Sequence, residues 1–117
     1  IAAVDGIDVL WVGHFDLSNF MGIPAQFEHP LFLAAMKRLA DVAKKHGVPI
    51  IGQGGIVNAT DALEFIIAGA SAVGVGTSLF YDPMSCKKIN AGIADYLRHN
   101  GYGNVTELVG SLTIPPR

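Results

Sequence analysis

Two glycine clusters, Gly52-Gln-Gly-Gly55 and Gly74-Val-Gly-Thr77, carry the pattern in this sequence best suited to chemistry. Each closes a short apolar run. Glycine has no Cβ, so its backbone can approach an anion closely and take φ > 0, turning successive N–H groups towards one point. The Thr77 hydroxyl adds a donor, and a helix starting just beyond it would add positive dipole. A phosphate-containing ligand is what such a pattern serves. The competing explanation is tight strand-to-helix turns and close packing. Repetition of the cluster on two consecutive strand ends favours the phosphate.

The other reactive side chains are scattered. His14 and Asp16 lie two positions apart, a spacing that allows a shared metal or, more simply, a local hydrogen bond. Asp16 is a single carboxylate, whereas hard divalent cations want several oxygens; Glu28 and His29 in the loop beyond are the nearest further groups. Cys86 is the single cysteine. It excludes an internal disulfide, fits a reducing cytoplasmic compartment, and reads as a small half-buried helix residue. His46 and His99 fall at helix ends, where the dipole accounts for them. Trp11 and Phe15 read as core or barrel-interior residues.

The elements that must position these residues follow from periodicity. Ile7–Gly13 is short, apolar and β-branched, which predicts a buried strand. A short helix is expected over Phe15–Gly22 and a loop around Pro24. Pro30 suits a first helical position, and Leu31–His46 has helical spacing, with Phe32, Met36, Leu39 and Val42 or Ala43 on one face. Lys44, Lys45 and His46 suit its C-terminal dipole, and Gly47 its stop. The pattern then repeats: a strand over Pro49–Ile56, a helix capped by Asn58 or Thr60 and running to Ala68, and a strand over Ser71–Thr77. A long helix from Asp82-Pro83 to Asn100-Gly101 follows, then a weak turn over Thr106–Val109 and a Pro-Pro tail.

This βαβαβα order with short connections implies parallel strands and right-handed crossovers, an α/β fold. Strands apolar on both faces fit a barrel, whose second face is hidden inside. The expectation is the C-terminal portion of a (β/α)₈ TIM barrel, three parallel βα units forming a single partial domain over 1–117. A complete barrel takes roughly 250 residues, and the chain opens at Ile1 in mid-pattern, so it reads as a piece of something longer. Exposed inner-face residues would then drive homo-oligomerisation or completion by another barrel fragment. Half of the chain is apolar and 15% is charged, a composition that supports a core. A formal net charge of −2 argues against nucleic acid or an anionic membrane as partner. No apolar run reaches the roughly 18 to 20 residues of a membrane span, and no signal peptide is expected.

Residues 48–112 resemble the C-terminal part of class 1 dihydroorotate dehydrogenases. The resemblance is carried by Pro49-Ile-Ile-Gly-Gln-Gly-Gly-Ile56, Asp61-Ala-Leu-Glu-Phe-Ile-Ile-Ala-Gly-Ala-Ser-Ala-Val73 and Val75-Gly-Thr77. It continues through Tyr96-Leu97 and Thr106–Leu112. It implies that residues 48–117 are the last two βα units of an FMN-binding barrel from pyrimidine biosynthesis. Gly54, Gly55, Gly76 and Thr77 would then contact the FMN phosphate, with Gln53 adjacent. In that family the general base (Cys or Ser), the Lys near the flavin and the Asn side chains for the pyrimidine lie on earlier strands, so no catalytic residue is assigned here and turnover by this chain alone is not expected.

The first part has a different resemblance. Val9-Leu-Trp-Val-Gly-His-Phe-Asp-Leu-Ser18, Met21-Gly-Ile-Pro24 and Gln26-Phe-Glu-His-Pro30 are similar to class II pyruvate-dependent aldolases of hydroxy-oxo acids. That implies a βα unit over 1–47 in which Asp16 ligates a divalent metal (Mg or Mn), with Phe15 beside it. The family's second metal ligand, a Glu, and its Arg and His have no counterpart in the chain. Two families meeting near Lys45–Pro49 would make the chain a barrel-fragment chimera. The remaining alternative is a structural barrel module with no ligand.

Overall fold

The computed structural model describes residues 1–113; the expected Pro-Pro tail lies outside them. They fall into two compact units, Ile1–Ile50 and Ile51 onward, a fragment of a TIM-barrel α/β fold in which strands and helices alternate along the chain and the second and third strands are parallel.

In the first unit β1 is only Leu10–Trp11, shorter than the apolar run around it. The Leu10 N–H donates to the Pro49 carbonyl at 2.8 Å, which joins it to the chain entering the second strand. Helix α1 covers His14–Phe20 and α2 covers Pro30–His46. Pro30 opens α2, where its missing N–H costs no helical bond, and the His29 imidazole accepts from the Leu31 N–H at 3.2 Å. Phe32 and Ala43 are buried on the apolar face predicted from spacing. Gly47 ends the helix, after Lys44, Lys45 and His46 in its last turn. Ser18 is fully buried and ties the loop after α1: its hydroxyl donates to the Phe15 carbonyl and accepts from the Ala25 N–H.

The second unit is built on β2, Ile50–Gln53, and β3, Ala72–Gly74, which pair in parallel. The register sets Ile51 beside Ala72, Gly52 beside Val73 and Gln53 beside Gly74. Helix α3, Ala59–Ala68, connects them. It opens on a reciprocal cap. The Asn58 side chain accepts from the Asp61 N–H at 3.0 Å, and the Asp61 carboxylate accepts from the N–H groups of Val57 and Asn58.

After β3 comes a single helical turn, α4, Ser78–Tyr81, and then the long α5, Ser85–Asn100. The long helix therefore starts three residues later than Asp82, whose carboxylate instead accepts from the Met84 N–H at 3.0 Å and from Lys88 at 2.6 Å. A 3₁₀ turn over Val105–Glu107 has its own reciprocal cap from Asn104 and Glu107.

The core of this unit lies where α3 meets α5 and β3. Ile56, Ala62 and Ile89 are buried with Val73 and Ile93 against them; Leu63, Ile66 and Leu108 form an adjoining group. Burial of such side chains stabilises by roughly 1.5–3 kcal/mol each. The helices approach closely because Gly92 faces Ala59: a Cβ at Gly92 would stand 2.4 Å from that of Ala59.

Candidate functional site

The strand ends that carry the glycine clusters meet in one pocket. Gln53–Val57 line one side and Gly74, Gly76, Thr77 and Ser78 the other, around a space of about 110 Å³. A whole small-molecule ligand usually occupies roughly 300–1,000 Å³. The space is thus smaller than a whole small-molecule ligand requires.

The glycines divide the work. Gly54 (φ 110°) and Gly55 (φ 71°) adopt left-handed backbone that other residues rarely take. Asp61 holds the N–H groups of Val57 and Asn58, two and three residues beyond Gly55, fixing where this turn ends. Gly76 has ordinary φ, and a Cβ there would meet nothing within 4 Å; it keeps the pocket open. Gly52 is different. Its Cβ would come within 2.5 Å of Phe65 Cδ1 and 3.2 Å of the Ala70 Cβ, so it serves packing, the competing explanation for these residues. Both explanations hold, at different positions.

The donors are in place. Among the described residues, no turn, loop or side-chain hydrogen bond uses the N–H of Gly54, Gly55, Thr77 or Ser78. Gly54, Gly55 and Thr77 are exposed and Ser78 opens α4, so these four N–H groups are open to water or to an anion. The Thr77 hydroxyl makes no capping bond to α4. The dipole expected from a long helix is small here, because α4 has only four residues. Ser78, buried, donates its hydroxyl to that of Ser85 at 3.1 Å, fastening α4 to the first turn of α5. Sequence reasoning missed this pair, since two serines seven apart carry no periodic signal.

The other candidates lie elsewhere. Asp16 is in the first turn of α1. Among the described residues, no group of three or more His, Cys, Asp or Glu side chains is placed to hold a metal ion. His14 makes no hydrogen bond to Asp16. Its ring packs against Phe15 and Phe27 at centroid distances of 5.0 and 5.1 Å, and Phe27 continues the group to Phe32. Trp11 and Phe15, expected inside, are 62% and 55% exposed. Cys86, expected half-buried, is exposed on α5. The His99 ring lies 2.7 Å from the Asp95 carbonyl. No helix among the described residues is long and apolar enough to cross a membrane.

Comparison with known proteins bears on the family of the chain. The family model for dihydroorotate dehydrogenase matches residues 25–97, more than half of the chain. Among curated relatives, the catalytic subunit of dihydroorotate dehydrogenase B (NAD(+)) from Geotalea daltonii is 54% identical over 80 residues. That alignment covers 68% of this chain and 26% of the relative. The same subunit from Desulforamulus reducens is 53% identical over 77 residues, covering 66% and 25%. The chain thus spans about a quarter of the length of the curated relatives it matches. A crystal structure of ligand-free dihydroorotate dehydrogenase from Eimeria tenella matches with a TM-score of 0.55 and 36% identity. It covers 64% of this chain and 22% of that one. The same enzyme in complex with ferulenol matches with a TM-score of 0.54 and 35% identity, over 64% and 21%.

The match begins at residue 25, well inside the stretch expected to be aldolase-like. The junction near Lys45–Pro49 is therefore not where the dihydroorotate dehydrogenase likeness starts, and these relatives lend no support to the aldolase resemblance. The matched span, more than half of the chain, shows the family: the chain belongs to the dihydroorotate dehydrogenase family.

Proposed function

We propose that this chain is the FMN-phosphate-binding segment of a dihydroorotate dehydrogenase-type oxidoreductase of pyrimidine biosynthesis. The observation that carries the reading is the set of unengaged N–H groups at Gly54, Gly55, Thr77 and Ser78 around one small pocket. Hydrogen bonds to an anion are stronger than those between neutral groups, and donors already fixed by the fold need little reordering on binding. A Cβ at Gly76 would meet nothing within 4 Å, so this side of the pocket leaves room for a phosphate.

When bound, FMN supplies a ring that accepts a hydride from a reduced substrate. The residues of this segment hold the tail of that molecule and so fix where its ring must lie. The chain covers 26% of its Geotalea relative. Dihydroorotate oxidation is accordingly proposed for the whole barrel to which this segment contributes. Titration of the purified chain with FMN, followed by flavin fluorescence and thermal melting, tests the reading. Saturable binding at tens of micromolar with a raised Tm supports it; no binding and no change in Tm removes it.

A further inference from the structure

We infer that Gln53 is a ligand-recognising residue of this pocket, laid over it by the missing side chain of Gly74. The inference rests on the phosphate-binding reading and adds a side chain to what is otherwise a backbone site. Gln53 and Gly74 are register partners at the last rung of the parallel β2–β3 ladder. Registered partners project from the same face, with the strands roughly 4.8 Å apart. A Cβ on Gly74 would lie 3.1 Å from Gln53 Oε1, 3.2 Å from its Cδ and 3.3 Å from its Cγ. Three side-chain atoms thus run along the ground a Gly74 side chain would occupy. The Gln53 side chain reaches sideways across the neighbouring strand, and both residues line the pocket.

The residue type fits the task. A carboxamide carries two N–H donors without a charge, and a turn about its last bond exchanges N for O. Towards a phosphate oxygen it donates where a carboxylate would repel and an apolar chain would offer nothing. It makes no hydrogen bond to any side chain among the described residues, so donation to a ligand breaks no existing contact of that kind. Gly74 is then a positioning residue. Its lack of Cβ is not required by φ, which is not in the left-handed region, but by the path of Gln53.

Two variants of the full chain test this with FMN and riboflavin, which share a ring but not the phosphate. Gln53→Met keeps the length and apolar stem while removing the donors. It should weaken FMN binding roughly tenfold, the scale of one hydrogen bond to a charged group, with Tm and riboflavin affinity unchanged. Gly74→Ala keeps the carboxamide but displaces it, and should give a smaller loss in the same direction. FMN affinity within twofold of the wild type in Gln53→Met overturns the inference and leaves the phosphate reading intact. Equal losses for riboflavin and FMN also overturn it, since Gln53 would then act away from the phosphate. Failure of the wild-type chain to bind FMN overturns both.

Discussion

A Cβ on Gly52 would stand 2.5 Å from Cδ1 of Phe65, which makes the first glycine of its cluster a packing residue between β2 and α3. Gly52→Ala forces the aromatic ring to shift within a core that also holds Ile56 and Ala62. Overpacking of this kind costs about 1–3 kcal/mol. Chemical denaturation should show a lowered midpoint with an unchanged slope.

The Ser78–Ser85 hydroxyl pair, buried at the join of α4 and α5, makes a second prediction. Ser85→Ala leaves the Ser78 hydroxyl buried without its partner, a loss of about 1–3 kcal/mol. Removing both hydroxyls removes the unsatisfied group as well, so the double variant Ser78→Ala/Ser85→Ala should lose less than the sum of the single changes. A double-mutant cycle by urea denaturation measures the difference.

Asp82 supplies a pH dependence. The hydrogen bond from Lys88, then that from the Met84 N–H, holds its carboxyl below the ordinary value of 3.8. A carboxylate whose folded pKa is lowered stabilises the fold above its unfolded pKa, and that contribution is lost as pH falls through the folded value. The stability difference between the wild type and Asp82→Asn should stay constant from neutral pH to about pH 5 and shrink as pH drops through 3.8 and below. Paired melting curves across that range report it.

Much of the frame was legible in the sequence. Helix α2 announced itself through Pro30, the Phe32–Ala43 apolar face and Gly47, because helical capping is local. The reciprocal cap at Asn58 was half legible: the sequence offered Asn58 or Thr60, and the choice of Asn58 with the return contact from Asp61 needed the observed turn. The strands came out shorter than their apolar runs, since a strand extends only as far as a neighbour pairs with it. Exposure of Trp11 and Phe15 escaped notice for a related reason. Apolar type predicts burial only when a partner surface exists.

The site divides the same way. The clusters Gly52–Gly55 and Gly74–Thr77 were legible from their repetition on strand ends, and the dihydroorotate dehydrogenase resemblance singled out Gly54, Gly55, Gly76 and Thr77 within them. What each glycine does depends on residues distant in sequence: Phe65 opposite Gly52 and Gln53 opposite Gly74. That division of labour is a tertiary property, and spacing carries no trace of it.

Gly76→Val is the cleanest probe of the central claim. The backbone at Gly76 has ordinary φ, and the Cβ position is free of contacts within 4 Å, so the variant should fold with little change in Tm. A change at Gly54 or Gly55 would strain the turn and confuse the outcome. The account predicts saturable FMN binding by the wild-type chain and loss of that binding, by at least roughly a hundredfold on the scale of several lost charged hydrogen bonds, in Gly76→Val. Equal FMN affinity in the two folded proteins would contradict it.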